Sequence, residues 1–105
     1  NDFYKIVEVK QVKLKNYILQ KSINKIDFLK IDTEGYELDV LLGLEEEIKN
    51  VKIIIFEHHY HDMIKKNYTF LNIHSYLITN NFKQIYKSKM PFRKTFEYIY
   101  ENKSN

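Results

Sequence analysis

The chain has 105 residues and a mass of 12.9 kDa, which is enough for one small domain and too little for two. Hydrophobic residues make up 44% and charged residues 30%, a composition of folded rather than disordered proteins. The absence of cysteine excludes a disulfide scaffold, a thiolate metal site and a cysteine nucleophile. With only two glycines, the sequence has no glycine-rich loop of the kinds that cradle phosphates.

The distribution of charge and the first residues of the sequence indicate which binding partners and which cellular location to expect. The net charge is only +3, and Lys65 and Lys66 are the only adjacent lysines, whereas a nucleic-acid reader usually has a basic stripe. An AT-rich coding sequence accounts for the many Lys, Asn, Ile and Tyr residues, and no run of about 18 apolar residues is present. No signal peptide follows Asn1. The sequence therefore predicts a cytoplasmic protein without a nucleic-acid or membrane partner, its oligomeric state left open.

The first half of the chain predicts alternating strands and helices. Apolar residues alternate over residues 7–14, as in a short extended segment, and recur at helical spacing over residues 14–22. Residues 26–32 form an apolar strand that ends in an acid. Leu38, Leu41 and Leu42 then predict a helix that begins near Gly35 or Tyr36. Gly43 is expected to end or bend this helix, and one or two further turns follow.

The second half continues the alternation and then changes. Residues 51–57 are almost continuously apolar and β-branched, which predicts a strand buried on both faces. Phe70, Ile73 and Leu77 mark a helix that ends at Asn80 and Asn81. Strands at residues 82–87 and 95–100 flank a turn around Pro91, and this short connection makes the two strands antiparallel. The order predicts an α/β fold with helices packed on a mostly parallel sheet.

Two polar clusters follow predicted parallel strands. Asp32, Glu34 and Glu37 follow one strand, and Glu57, His58 and His59 end the other. Ligands of open α/β sheets bind beyond the carboxyl ends of parallel strands, so we expect both clusters to meet at one edge.

Each acid of the first cluster has two interpretations. Asp32 can accept a proton, orient a hydroxyl or bind a cation, or it can cap the following helix. On spacing alone, Glu34 and Glu37 are surface acids that complement the helix dipole. Gly35 is expected to relieve a tight turn.

The histidines of the second cluster favour acid–base chemistry over a metal site. His58, His59 and His61, with Glu57 and Asp62, offer enough ligands for a metal ion. On an extended segment, however, His58 points away from His59 and His61. A single histidine acting as a general base or a substrate contact is therefore the preferred interpretation, and aromatic residues are expected in the core.

A family resemblance begins at residues 27–37, DFLKIDTEGYE. This run is similar to the D-F-[LI]-K-[IL]-D-x-E-G-x-E signature of FkbM-type S-adenosylmethionine-dependent methyltransferases. The preceding residues 12–19, the Leu41–Gly43 helix end, the strand ending at Glu57, Phe82 and residues 96–102 also resemble the family. The resemblance spans nearly the whole chain.

The resemblance implies a fold and a reaction. The fold is a partial Rossmann-like methyltransferase sheet, which is seven-stranded in the family and closes with an antiparallel strand. The reaction is methyl transfer from S-adenosylmethionine to an oxygen, often of a sugar or another secondary metabolite, and a divalent cation is an optional cofactor. Since the glycine-rich loop is absent, residues 1–105 resemble the C-terminal portion of the domain. This portion is expected to be inactive alone. The strand ending at Asp32 is expected to have one edge without a pairing strand.

The resemblance also implies roles for individual residues. Asp32 would lie beside the transferred methyl group, which makes it both a catalytic and a cofactor-binding candidate, and His59 is the second catalytic candidate. The substrate-binding candidates, which would contact a small-molecule or glycan acceptor, are Glu34, Gly35, Glu37, Glu57 and His58.

Two other functional classes compete with this interpretation. A metal-dependent hydrolase or nuclease could use Asp32, Glu34, Glu57 and His59. A non-catalytic α/β module would use its acids only as helix caps.

Overall fold

The computed structural model describes residues 6–9, 25–31, 35–59, 68–89 and 95–104. These residues form a five-stranded mixed sheet with the strand order β1-β2-β3-β5-β4. The strands are β1 (Ile6–Val9), β2 (Ile26–Ile31), β3 (Val51–His59), β4 (Phe82–Lys89) and β5 (Thr95–Asn102). The helices are α1 (Glu37–Gly43), a 3-10 helix (Glu45–Asn50) and α2 (Phe70–Thr79). The predicted α/β class is confirmed.

The two strands that carry the polar clusters are parallel neighbours, as predicted. β2 pairs with β3 from Ile26 opposite Val51 to Ile31 opposite Phe56. Helix α1 and the 3-10 helix form the crossover between them, and α1 ends at Gly43 as the sequence predicts. The carboxyl ends of β2 and β3 therefore lie at the same edge of the sheet.

The last two strands form the predicted antiparallel pair. β5 inserts antiparallel between β3 and β4, with Glu57 opposite Glu97, and β4 forms the outer edge. A register shift between Gln84 and Tyr86 interrupts the β4–β5 ladder, and lysines are spaced along β4. Both features protect an exposed strand edge from pairing with other chains.

The N-terminal strand overturns one expectation. β1 pairs in parallel with β2, from Ile6 opposite Phe28 to Val9 opposite Ile31. The predicted open edge of β2 is therefore wrong, because the strand that precedes β2 in the sequence supplies the missing backbone partners. β1 covers the first part of the extended segment predicted over residues 7–14, while residues 10–14 and the predicted helix over residues 14–22 lie outside the described residues.

The core lies on one face of the sheet, under the helices. The register places Leu29 beside Ile54 and Ile31 beside Phe56, and these residues share their face with two aromatic residues of β5, Tyr98 and Tyr100. They form one cluster with Leu41, Leu44, Ile48, Ile73 and Leu77 of the helices. The predicted aromatic core is confirmed at Phe56, Phe82, Tyr98 and Tyr100.

The opposite face of the sheet is less covered than the sequence predicts. Ile53 and Ile55 of β3 point to this face and are only partly buried. The prediction that β3 is buried on both faces is thus wrong for these two residues. Among the described residues, the helices pack on the first face alone.

Candidate functional site

The site is defined by the carboxyl edge of β2 and β3. Ile31 is the last residue of β2 and Asp32 follows it directly, while Glu57, His58 and His59 are the last three residues of β3. The strand ends are adjacent, as predicted. Residues 32–34 and 60–67, which include Asp32, Glu34, His61 and Asp62, lie outside the described residues, so the convergence of the two clusters remains a prediction.

β3 is two residues longer than predicted, and this extension sets the directions of its polar side chains. The strand continues to His59 because β5 pairs along its whole end, with His58 opposite Phe96 and His59 opposite Thr95. Alternation along the strand places Glu57 and His59 on one face and His58 on the other. The two histidines therefore cannot serve one common ligand.

His58 lies on the helix-covered face, inside the protein. Its side chain is 1% exposed, and Tyr68 and Phe70 flank its ring at centroid distances of 6.0 Å. Its Nδ1 lies 3.4 Å from Oε1 of Glu37, an ion-pair distance when the imidazole is protonated. Its proposed contact with an acceptor stays a prediction.

His59 lies on the opposite face, close to a shallow pocket. It is 8% exposed, and its Nδ1 is 3.0 Å from the Thr95 hydroxyl oxygen. When Nδ1 donates this hydrogen bond, Nε2 carries the lone pair that a general base requires. Thr95 thus restrains the ring of the second catalytic candidate, and no sequence motif indicates that contact.

A pocket on this face is lined by two glutamates and one lysine together with apolar residues. Its lining residues are Lys30, Ile31, Ile55, Phe56, Glu57 and Glu97. Glu57 and Glu97 are direct cross-strand partners, an arrangement that disfavours two like charges. In the part of the chain that the structure describes, no three His, Asp or Glu side chains come close enough to hold a metal ion.

Glu37 differs most from its spacing-based interpretation. The residue is 1% exposed, so the interpretation as a surface acid is wrong. Its Oε2 accepts the Gly35 N–H at 2.7 Å, and its Oε1 accepts the Tyr68 hydroxyl at 2.9 Å. The Glu37 N–H in turn donates to the Tyr68 oxygen at 2.9 Å. A buried carboxylate is tolerated here because polar groups surround it.

The turn that leads into Glu37 depends on glycine, as predicted. Gly35 has a φ of 108°, a region that side chains with a Cβ rarely adopt. This backbone geometry directs its N–H to the Glu37 carboxylate. Glu34 is outside the described residues, so its role stays a prediction.

The electrostatics of this cluster follow from burial and hydrogen bonding. Burial alone raises the pKa of Glu37, but interactions with His58, the Gly35 N–H and Tyr68 outweigh it and hold the pKa below its ordinary value of 4.5. Burial and the neighbouring carboxylate raise the pKa of the Tyr68 phenol. The carboxylate therefore stays charged and the phenol stays a donor at neutral pH.

Stability in acid should depend on Glu37. Its pKa is lower in the folded than in the unfolded state, so its contribution is present above pH 4.5 and is lost as the pH falls through the lowered folded value. We expect Glu37→Gln to make stability depend less steeply on pH below about pH 5. Urea unfolding at a series of pH values measures this dependence. Asp39→Asn, at an exposed acid of α1, is the control and should keep the wild-type profile; equal profiles for wild type and Glu37→Gln would contradict the assignment.

A scan against protein families identifies the chain. Residues 1–88 match the family model described as the methyltransferase FkbM domain. The chain belongs to the FkbM methyltransferase family. The match covers β1 to nearly the end of β4, including the signature and both strands of the candidate site, and leaves β5 outside. Searches of curated proteins and of solved structures returned no match.

FkbM membership implies S-adenosylmethionine, but the described residues do not provide its cradle. The sequence has only two glycines, and they are not part of a glycine-rich loop. Gly35 donates its N–H to Glu37, and Gly43 is the last residue of α1. The assignment of this FkbM domain to the acceptor side of a methyl-transfer site stays a prediction.

Proposed function

We propose that this chain forms the acceptor side of an S-adenosylmethionine-dependent O-methyltransferase of the FkbM family. The observation that supports it is the parallel pairing of β2 and β3 within the family match, which brings the strand end before Asp32 beside Glu57 and His59. The proposed acceptor is a hydroxyl of a sugar or of another small secondary metabolite. No described helix is both long and apolar enough to cross a membrane, and the cytoplasmic location stays a prediction.

The chemistry requires positioning and a proton acceptor. S-adenosylmethionine supplies an electrophilic methyl group, and its transfer to oxygen is an in-line displacement. Asp32 orients the acceptor hydroxyl and takes its proton, and His59 is the second candidate for this task. Glu57 and Glu34 contact the remaining polar groups of the acceptor. A divalent cation remains an optional partner of these carboxylates.

Family membership favours this proposal over the two alternatives. A hydrolase or nuclease that uses Asp32, Glu34, Glu57 and His59 would need a metal ion held by several of them. The described residues contain no three-ligand group, and Asp32 and Glu34 lie outside them. In a non-catalytic module, the acidic residues at the carboxyl edge would have no catalytic role.

A labelled-methyl assay tests the proposed function. The protein in its natural length is incubated with S-adenosylmethionine that carries a tritiated methyl group and with a panel of sugars and hydroxylated metabolites. We expect tritium in an acceptor and an equal amount of S-adenosylhomocysteine, measured with Mg²⁺ and again with a chelator. Hydrolysis of a phosphodiester without any methyl transfer would overturn the proposal in favour of the hydrolase.

A further inference from the structure

The connections that leave the carboxyl edge end at two residues that touch each other. Glu37 begins α1, directly after the connection that leaves β2. Tyr68 precedes Thr69, the N-cap of α2, at the end of the connection that leaves β3. Residues 32–34 and 60–67 belong to these two connections, and two of the predicted site residues, Asp32 and Glu34, lie in the first of them.

Two hydrogen bonds with opposite donors join Glu37 and Tyr68. The phenol donates to Oε1 of Glu37 and accepts the Glu37 backbone N–H, each at 2.9 Å. The carboxylate and the backbone N–H of Glu37 thus both bind the hydroxyl group of Tyr68, which lies 31 residues away in the sequence. The other carboxylate oxygen holds the Gly35 N–H at 2.7 Å, and His58 at the end of β3 approaches Oε1 at 3.4 Å.

Stability alone does not account for a buried carboxylate at this place. Removing a carboxylate from water carries a large desolvation penalty, and an apolar residue of similar volume often serves a core equally well. What the carboxylate adds is a fixed geometry, because its two oxygens have directed partners on different segments. Here the partners belong to the turn after β2, to the end of β3 and to the start of α2.

We propose that Glu37 is a positioning residue which, through the Tyr68 hydroxyl, ties the turn at Gly35 and the end of β3 to the residue that precedes the N-cap of α2. It acts on the reaction through these contacts and touches no reacting atom. Its importance for methyl transfer rests on the proposed function, whereas the linkage itself is a property of the fold.

Amide exchange at Gly35 tests the linkage. Tyr68→Phe removes the hydroxyl that binds Glu37 but no atom that touches Gly35. We expect the Gly35 amide, followed by NMR, to exchange about tenfold faster or more, because the carboxylate that accepts it loses its anchor. The amides of Ile54 and Leu77 in the core should exchange as in the wild type. A merely stabilising tyrosine would speed exchange throughout the core instead.

A matched control shows whether the faster exchange at Gly35 is specific to the Tyr68 hydroxyl or follows the loss of another tyrosine hydroxyl. Tyr76 donates to the Leu41 carbonyl at 3.3 Å, so Tyr76→Phe also removes a hydrogen bond between α2 and α1. We expect no change at Gly35 in this variant. In a Glu37→Gln background, Tyr68→Phe should accelerate exchange of the Gly35 amide less than it does in the wild type, since both changes break the same hydrogen-bond network. An unchanged Gly35 in Tyr68→Phe, or an equal change in Tyr76→Phe, would overturn the proposal.

A kinetic measurement then connects the linkage to the reaction. In the natural-length enzyme, Tyr68→Phe should lower kcat several-fold with little change in KM for S-adenosylmethionine, and Tyr76→Phe should change neither. Because amide exchange needs no substrate, it decides on the linkage even when no methyl transfer is found. Faster exchange with unaltered kcat would overturn the positioning role in an active enzyme.

Discussion

Replacing Asp32 with Asn should lower methyl-transfer turnover by about 10²–10⁴-fold, the usual contribution of a positioned base. The amide keeps the shape of the side chain and loses its charge and its basicity. Asp32 directly follows Ile31, which ends β2 opposite Phe56 at the carboxyl edge. At this edge an open α/β sheet binds its ligands.

Binding of S-adenosylmethionine should be nearly unchanged in the same variant. In the family resemblance the cofactor is held by a glycine-rich loop and by an acid on its ribose, and Asp32 is assigned to the methyl group and the acceptor. Titration calorimetry with the cofactor and steady-state turnover on one preparation therefore separate the two effects. The comparison uses the protein in its natural length.

An exposed acid of α1 supplies the control for Asp32→Asn. Asp39 lies in the first turn of α1, and its side chain is exposed. Asp39→Asn makes the same chemical change near the site and should leave turnover within a few-fold of wild type. The interpretation of Asp32 as the N-cap of the following helix is wrong, because α1 has Tyr36 at this position. Near-normal turnover of Asp32→Asn would remove its catalytic assignment.

Two of the strand pairings could be predicted from the sequence because they follow from local patterns. Two apolar strands separated by a helix give a parallel crossover, and this predicts β2 beside β3. A connection too short for a helix gives the antiparallel pair β4 and β5. The pairing of β1 with β2 and the extension of β3 to His59 were not predictable in this way. Both depend on which strand supplies the backbone hydrogen-bond partners. The four residues of β1 do not indicate with which strand they pair.

At the candidate site, the neighbouring ends of β2 and β3 could be predicted, whereas the contacts around them could not. The polar residues after β2 and β3 indicate the carboxyl edge by sequence alone, and the edge is where the strands meet. The burial of Glu37 gave no local signal, since an acid in the first turn looks the same whether it faces solvent or Tyr68. Tyr68 itself follows no motif, and its contact spans 31 residues. Glu97 and Thr95 join the site only through the β3–β5 register.

The largest loss of stability should come from Phe56→Ala. Phe56 lies in β3 between β2 and β5, is 1% exposed, and stacks on Tyr98 and Tyr100 at centroid distances of 5.4 and 5.8 Å. Truncating a buried Phe to Ala costs about 3–5 kcal/mol, from lost burial and from the cavity that remains. A small domain has only about 5–15 kcal/mol of total stability. The variant should therefore unfold at a much lower urea concentration, followed by circular dichroism.

Tyr86→Ala is the control for Phe56→Ala, since it removes an aromatic ring from the outer strand. Tyr86 lies in β4 at the edge of the sheet and is 46% exposed, so truncation leaves no enclosed cavity. We expect its unfolding midpoint to move much less than that of Phe56→Ala, with a wild-type slope in both curves. The comparison measures burial directly, because both changes delete an aromatic ring and differ in how much of it water already reaches. Equal midpoints for the two variants would mean that the stacked rings of Phe56, Tyr98 and Tyr100 are not the centre of the core.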